Sequence, residues 1–371
     1  MNNNHIDNNN NNNNNDNNNA ETVSPIIDMK SAVFFPMAAP SLANAADMAK
    51  TLVSSSLEVT LTDDSKLTYE LSYQPFFKTG ELVSDGQGGT ILAGGYFDIN
   101  NKPIIDNSVV GQSRQFFSDS PDGTSLLALA NPTVKGIKGK AVFAVVQFEY
   151  LTKNLAGINE LEPYPEAVNM YGKLPSPIAV LTLDQDQNNG QLSLVKYHNV
   201  DTSSAHGLWI TCGASLSPWG THLSSEEYEP DAFTIASNTQ FKAYSLNTFG
   251  SETAAKPYHY GHLPEVTVNP DGTGSIKKHY CLGRISHELI QMMPDNRTAL
   301  MGDDNTNAGL FMFVADREKD LSSNKIIFKY FFCILDNLIK LVFSALQKFV
   351  EFAPCVISFV LKSCQHLIVC L

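Results

Sequence analysis

Two stretches of the chain concentrate side chains that bind metal ions or phosphate, residues 209–227 and residues 283–316. The first contains a cysteine and a pair of glutamates. The second contains a His-Glu pair, two arginines and an Asp-Asp pair, and both lie among apolar, strand-like runs. Charged groups are costly to bury unless they are paired or bind an ion. We therefore interpret the two stretches as candidates for a shared metal site.

Cys212 is the softest potential ligand of the first stretch. Its thiolate suits iron, zinc or copper. The alternative is that it serves as a small buried apolar residue, which is a common use of a single cysteine. The chain has six cysteines and no C-x-x-C pair, which argues against a structural zinc site.

Glu226 and Glu227 form the acidic pair of the first stretch. Successive side chains of a strand point to opposite faces. One glutamate can therefore face a metal ion while the other pairs elsewhere. The alternative is an ordinary pair of surface glutamates.

The second stretch supplies His287 with Glu288, and then Asp303 with Asp304. A His-Glu pair can offer two ligands to one centre, or one ligand and one supporting residue. The Asp-Asp pair lies in a turn rich in oxygen atoms, which suits calcium. The alternatives are a hydrogen-bonded histidine and a solvated turn.

Short strands separated by turns rich in Gly, Asp and Asn must position these residues. The pattern predicts hairpins or buried strands at 57–71, 140–151, 177–197 and 263–280. The acidic turn at 184–190 resembles a calcium loop, but its flanking strands favour a hairpin turn. The sequence therefore predicts an all-β fold, either a sandwich, a barrel or a propeller. It has no repeat of fixed length that would select the propeller.

The same two stretches resemble the PhoX-type alkaline phosphatases. The matching residues are W-x-x-C-G at 209–213, P-W-G-T-x-L-x-x-E-E at 218–227, G-R-x-x-H-E at 283–288, P-D-x-R-T at 294–298, G-D-D at 302–304 and G-L-F-M-F-V at 309–314. Weaker similarity, including L-x-Y-Q-P at 71–75, extends the resemblance over residues 33–323. Motifs of this length are specific.

The resemblance implies a β-propeller that hydrolyses small phosphate esters with a mixed iron and calcium centre. It implies that Cys212 binds iron and that Glu288 is a carboxylate ligand with a catalytic role. It also implies calcium-binding or supporting roles for Glu226, Glu227, Asp303 and Asp304. Arg284 would bind phosphate or orient Glu288, and we favour the second role. The implied mechanism is metal-assisted hydrolysis.

The chain also departs from the family pattern. Ser225 stands where the family usually has cysteine, and the resemblance ends near Ser323, before a later arginine-and-carboxylate motif of the family. We therefore predict an incomplete, C-terminally truncated propeller with exposed sheet edges. The alternative function is a non-catalytic propeller that binds a ligand or calcium and has lost the completing blades and its activity.

The two ends of the chain differ in composition from the rest. Residues 1–28 include 14 asparagines between positions 2 and 19 and are predicted to be disordered. Residues 31–46 resemble a weak signal segment, but we favour an entry strand, so no conventional N-terminal signal peptide is expected. Residues 324–371 are apolar and predicted to be helical, and their abrupt change in composition also fits a gene-model error. Charged residues within 326–346 disfavour a membrane span, although membrane contact through 326–371 is a third functional alternative.

The formal net charge of −13 argues against a nucleic-acid partner. It also opposes capture of an anionic phosphate unless bound cations reverse the local field. The central prediction is that the Cys212 sulfur and the Glu288 carboxyl group converge on one cluster of cations.

Overall fold

The computed structural model describes residues 28–324, apart from 40, 42, 44, 50–53, 72 and 158–168. The predicted disordered segment, except Asp28, and the predicted helical tail at 324–371, except Asn324, therefore lie outside the described residues. Asn324 ends a strand instead of beginning a helix. Within the described part, no helix is both long and apolar enough to cross a membrane. The chain divides into two compact units, Met1–Pro75 and Phe76–Leu371. The domain boundaries given above stay a prediction.

The first unit contains one antiparallel sheet in the order β1-β2-β3. The strands are β1 (Met29–Phe35), β2 (Ser56–Leu61) and β3 (Lys66–Glu70), and a single turn of helix, α1 (Ala45–Met48), lies between the first two. Asp64 adopts a left-handed backbone (φ 63°) in the turn between β2 and β3. The predicted hairpin at 57–71 and the predicted entry strand, over residues 31–35, are confirmed.

The second unit contains two short ribbons followed by three four-stranded antiparallel sheets. The ribbons are β4 (Leu82–Ser84) with β5 (Thr90–Leu92), and β6 (Ile105–Asp106) with β7 (Arg114–Gln115). The first sheet comprises β8 (Pro121–Leu127), β9 (Lys140–Phe148), β10 (Ile178–Gln185) and β11 (Leu192–Asn199). The second comprises β12 (Ser215–Leu216), β13 (His222–Leu223), β14 (Leu263–Val268) and β15 (Gly274–His279). The third comprises β16 (His287–Met292), β17 (Thr298–Asp303), β18 (Leu310–Arg317) and β19 (Asp320–Asn324).

One longer helix, α2 (Thr239–Phe249), interrupts the second sheet between β13 and β14. The side chain of Asn238 caps its first turn by accepting a hydrogen bond from the Phe241 N–H, and Gly250 ends it in a left-handed conformation. Short 3-10 helices lie at Leu155–Gly157, Ser203–Ala205, Ile235–Ser237, Pro257–His259 and Tyr280–Leu282.

The apolar core lies between consecutive sheets. Val145, Val180 and Val266 belong to a buried cluster shared by the first and second sheets. Leu263 and Ile290 belong to a cluster shared by the second and third sheets. Face-to-face packing of four-stranded antiparallel sheets is the arrangement of propeller blades. The all-β prediction is confirmed, while the incompleteness of the propeller stays a prediction.

The first strands of the three sheets lie side by side. The Ser215 hydroxyl of β12 donates to the Ile290 carbonyl of β16 at 2.6 Å. Gly123 of β8 lies so close to the segment before β12 that an added Cβ would stand 2.6 Å from the Ala214 Cβ. This approach brings the ends of strands from three sheets, and the chemically active residues beside them, to one place.

Candidate metal centre

A thiol and a carboxylate that are distant in the sequence meet at the edge of these strands. Cys212 lies just before β12, and Glu288 is the second residue of β16. The Cys212 Sγ lies 3.3 Å from the Glu288 Oε2. The structure therefore brings these two side chains together, while their binding of a shared cluster of cations stays a prediction.

Four carboxylates and the thiol form two groups with the spacing of metal ligands. One ligand atom from each of Glu149, Cys212 and Glu227 lies within 4.8 Å of the other two. The same holds for Glu227, Glu288 and Asp304. The first group mixes sulfur with oxygen, the second offers only oxygen, and Glu227 belongs to both. We call these five residues the acidic cluster.

Glu149 is the member that sequence reasoning missed. It directly follows β9, whose residues 141–148 are all buried, and it is half-buried itself. The available signal was a carboxylate at the end of an otherwise apolar strand, where a buried charge needs a partner or an ion. No motif connects it to residue 212 or 227, because strand pairing alone brings it there.

The charges of the acidic cluster repel one another. Burial and a hydrogen bond with Glu149 raise the pKa of Glu227 to about 9, and the Glu288 charge adds to the shift. Burial also raises the pKa of Glu149. Burial, followed by the Glu227 and Glu288 charges, raises the pKa of the Cys212 thiol. Among the described residues, no ion pair with lysine, arginine or histidine includes a member of the cluster. A bound cation would relieve this repulsion and favour the ionised ligands.

The backbone around the thiol is tied closely to the strand that carries Glu288. The buried Ser225 hydroxyl lies 2.6 Å from the Gly213 carbonyl oxygen and 3.1 Å from that of Glu288. An added Cβ at Gly213 would lie 2.5 Å from the Glu288 carbonyl oxygen. Position 213 therefore requires glycine for this close approach. Ser225, the departure from the family pattern, links the two segments.

Two residues that flank the cluster adopt left-handed backbone conformations. Ile210 has φ 32° and Tyr228 has φ 48°. The Glu227 N–H donates to the Ile210 carbonyl at 3.0 Å, so the two segments are paired at this point. A β-branched residue with positive φ is strained, and such strain is typical of functional sites.

Glu226 lies in different surroundings from its neighbour. Its buried carboxylate forms a 2.8 Å ion pair with the buried ammonium group of Lys278. It also accepts hydrogen bonds from the backbone N–H groups of Trp209, Gly261 and His262, at 2.9, 3.1 and 3.1 Å. We call this arrangement the ion-pair pocket. The structure does not bring Glu226 to the acidic cluster, because its oxygens are engaged here.

The two aspartates of the Asp-Asp pair also separate. Asp304 belongs to the cluster, and its carboxylate accepts a hydrogen bond from the Tyr228 hydroxyl. Asp303 ends β17, and its pKa is raised by burial and by the charge of Asp304. Neither of the two ligand groups includes Asp303.

The guanidinium group of Arg284 is directed at backbone carbonyls. Its Nε donates to the Tyr260 carbonyl at 2.9 Å, and its Nη2 donates to the carbonyls of Pro230 and, at 3.3 Å, Pro257. The group also lies 5.5 Å from the centre of the Tyr258 ring. These contacts direct it toward the loops before β14 instead of toward Glu288.

His287 is buried beside Glu288 and is not among the two ligand groups. Its Nε2 lies 3.3 Å from the Gly283 carbonyl oxygen. Burial lowers its pKa to about 4, so the ring is neutral at neutral pH. Of the two interpretations of the His-Glu pair, the structure favours one ligand and one supporting residue.

The model of one protein family matches the part of the chain that carries most of this site. It describes the PhoX alkaline phosphatases and matches residues 188–327. This segment of the chain is therefore similar to the PhoX-type alkaline phosphatase family. The matched segment contains all residues proposed from the sequence, whereas Glu149 lies before it.

Two solved structures show weak similarity to the chain. Pseudomonas fluorescens PhoX in complex with vanadate, a transition-state analogue, is 18% identical with a TM-score of 0.33, and the match covers 66% of this chain and 50% of that one. A provisional 6-phosphogluconolactonase from Bacteroides uniformis is 14% identical with a TM-score of 0.22, covering 75% and 77%. The chain thus spans half the length of the Pseudomonas protein. At these TM-scores neither likeness supports a structural argument. No curated protein matches the chain.

Proposed function

We propose that this chain is a metal-dependent phosphomonoesterase whose metal ions are held by the acidic cluster. One observation carries the proposal: the Cys212 thiol lies 3.3 Å from the Glu288 carboxylate, among further carboxylates that lack a cationic partner in the described part of the chain. The similarity of residues 188–327 to the PhoX alkaline phosphatases supports the reaction class.

The donor chemistry supports two kinds of ion. The group with Cys212, Glu149 and Glu227 suits iron, because a thiolate with carboxylates is a ligand set for a transition metal. The group with Glu227, Glu288 and Asp304 offers only carboxylate oxygens, which suits calcium. Glu227 would contact both ions because its carboxylate belongs to both groups.

The chain's own residues prepare this site in three ways. The Cys212 thiol, whose pKa burial raises, loses its proton when an ion binds, so binding is favoured at higher pH. The Tyr228 hydroxyl donates to the Asp304 carboxylate and restricts its rotation. The close contact at Gly213 fixes the strand that carries Glu288 against the segment that carries Cys212.

When bound, the ions supply Lewis acidity that offsets the charge of a phosphate ester. The net charge of the protein alone would repel such a substrate. We leave Glu226 and Arg284 out of the metal-binding and catalytic set, because their polar atoms are engaged by Lys278 and by backbone groups. Asp303 is assigned a supporting role beside Asp304.

Hydrolysis of a generic aryl phosphate by the full-length chain, with iron and calcium added, tests the proposal. Cys212→Ala and Glu288→Gln should each reduce kcat/KM by more than about 100-fold, because each removes a ligand atom. Cys281→Ala is the matched control: Cys281 is also half-buried, but its Sγ donates to the Leu321 carbonyl, away from the cluster. The control should retain activity. Activity that survives both cluster substitutions would overturn the proposal.

Calcium binding without hydrolysis is the second candidate. The oxygen-only group and the engagement of Arg284 by backbone carbonyls both favour it. Calorimetric titration with calcium, combined with the same assay, distinguishes the candidates. Calcium binding that Glu288→Gln weakens, with no turnover in the presence of either ion, would select this second function.

A further inference from the structure

A series of hydrogen bonds between buried polar side chains ends at the backbone of Cys212. Ser125 of β8 and Gln147 of β9 contact opposite ring nitrogens of His222 in β13. The Ser125 Oγ lies 2.8 Å from the His222 Nδ1, and the Gln147 Oε1 lies 3.0 Å from its Nε2. All three side chains are buried. The Gln147 Nε2 then donates to the carbonyl of Cys212 and, at 3.3 Å, to that of Gly213.

The contacts fix the position of each proton in this series of hydrogen bonds. Only the amide nitrogen of Gln147 can face two carbonyl oxygens, because an amide oxygen there would meet two acceptors. Its Oε1 therefore accepts from the Nε2–H of His222. The Nδ1 of the ring then accepts from the Ser125 hydroxyl. The direction of donation runs from Ser125 through His222 and Gln147 to the backbone of Cys212.

Both peptide groups that flank Cys212 are consequently held. Its carbonyl accepts from Gln147, and its N–H donates to the Ser225 carbonyl at 3.3 Å. When both flanking peptide planes are fixed, the direction of the Cα–Cβ bond is fixed as well. The remaining freedom of the thiol is rotation about χ1, which the contact with Glu288 restricts.

We propose that Ser125, His222 and Gln147 are positioning residues that aim the Cys212 sulfur at the metal site. The inference rests on the proposed function, because it requires Cys212 to be a ligand. None of the three touches the thiol itself, so each acts through the backbone of residues 212 and 213. Supporting hydrogen bonds of this kind typically change metal affinity by about 10–100-fold.

Binding of Co(II) to the full-length, metal-free protein tests the proposal. Cobalt bound by a thiolate gives a near-ultraviolet sulfur-to-metal absorption band that reports the sulfur contact directly. Gln147→Met keeps the approximate size of the side chain, adds no charge and removes the donor to the Cys212 carbonyl. We expect it to weaken Co(II) binding by about tenfold or more and to reduce the sulfur band.

Ser125, at the other end of the series of hydrogen bonds, offers a milder substitution. Ser125→Ala removes the hydroxyl that orients His222 and should reduce Co(II) affinity by a few-fold, whereas Ser125→Thr keeps a hydroxyl and should restore it. His279→Gln is the control for a merely structural effect. His279 is another buried histidine, with its Nε2 2.6 Å from the Glu265 carboxylate, and it makes no contact with residue 212 or 213. It should lower the melting temperature and leave the sulfur band unchanged.

The outcomes separate this proposal from the function on which it rests. A wild-type sulfur band that Cys212→Ala abolishes supports the ligand role of Cys212. If Gln147→Met and Ser125→Ala then leave both the band and the Co(II) affinity at wild-type values, the positioning role is overturned while the metal site stands. A band that is absent from the wild type, or that persists in Cys212→Ala, overturns the proposed function and this inference together.

Discussion

Glu226 and Glu227 are adjacent in sequence and both buried, yet they belong to two regions of opposite character. In the ion-pair pocket, Glu226 has a lysine and three backbone N–H donors. In the acidic cluster, Glu227 meets other carboxylates and a thiol. The comparison shows that donors surround one buried carboxylate, whereas the other faces groups of like charge. We expect the first to stabilise the fold and the second to require a bound cation.

The largest effect should come from breaking the ion-pair pocket. Glu226→Gln leaves the buried ammonium group of Lys278 without its counter-charge, because the two groups pair at 2.8 Å. We expect a loss of about 3–5 kcal/mol in the free energy of unfolding, measured by urea denaturation of the metal-free protein. Glu226→Gln combined with Lys278→Met removes both charges and should recover much of the loss. A loss below about 1 kcal/mol in the single variant would show that the pair does not stabilise the fold.

Metal ions should stabilise the acidic cluster and leave the ion-pair pocket unaffected. Calcium at about 100 times its dissociation constant should add about 2.7 kcal/mol to the free energy of unfolding, by mass action. Glu227→Gln should abolish most of this gain, because Glu227 belongs to both ligand groups. The measurement is the melting temperature as a function of calcium concentration. A full gain in Glu227→Gln would place the calcium elsewhere.

The two regions should also respond differently to pH. The pKa of Glu227 rises from 4.5 to about 9 on folding, so the folded state binds the proton more tightly than the unfolded state. The metal-free protein should therefore lose stability as the pH rises from about 4.5 to about 9. We expect a loss on the order of 2 kcal/mol, smaller than the whole shift implies because solvent screens part of the cluster.

Denaturation curves of the metal-free protein across this pH range test that expectation. Glu227→Gln should flatten the dependence, since the titrating carboxyl group is gone. Glu226→Gln should lower the free energy of unfolding at every pH without changing its dependence on pH. An equally steep fall in Glu227→Gln would assign the pH dependence to other groups.

A smaller effect is expected from the hydrogen bond between Tyr228 and Asp304, at the edge of the acidic cluster. Tyr228→Phe removes the hydroxyl that donates to the Asp304 carboxylate and leaves the ring in place. We expect calcium affinity to fall by a few-fold, equivalent to about 1 kcal/mol. Tyr258→Phe is the matched control, since Tyr258 lies against Arg284 instead of the cluster. Equal calcium affinities in both variants would show that Tyr228 does not orient Asp304.

The sequence predicted those features that depend on local pattern. Turn residues and alternating apolar runs predicted the hairpins within residues 177–197 and 263–280, which β10 with β11 and β14 with β15 confirm. Alternation also predicted that Glu226 and Glu227 would face different surroundings. The convergence of Cys212 with Glu288 followed from the family motifs rather than from any local pattern.

The sequence could not predict the features that depend on long-range pairing. Glu149 reaches the cluster because β9 ends there, and Lys278 reaches Glu226 from 52 positions away. Arg284 was expected to orient Glu288, but nearby carbonyls engage its guanidinium group. The sequence did not predict the helix α2. Its buried face mixes Phe241 with polar residues, so its apolar residues do not recur at helical spacing.

Iron-edge X-ray absorption of the iron-loaded, full-length protein tests the central claim most directly, because it identifies the atoms bound to the metal. We predict one sulfur neighbour among oxygen neighbours in the wild type, and oxygen neighbours alone in Cys212→Ala. Identical spectra without a sulfur neighbour in both proteins would contradict it.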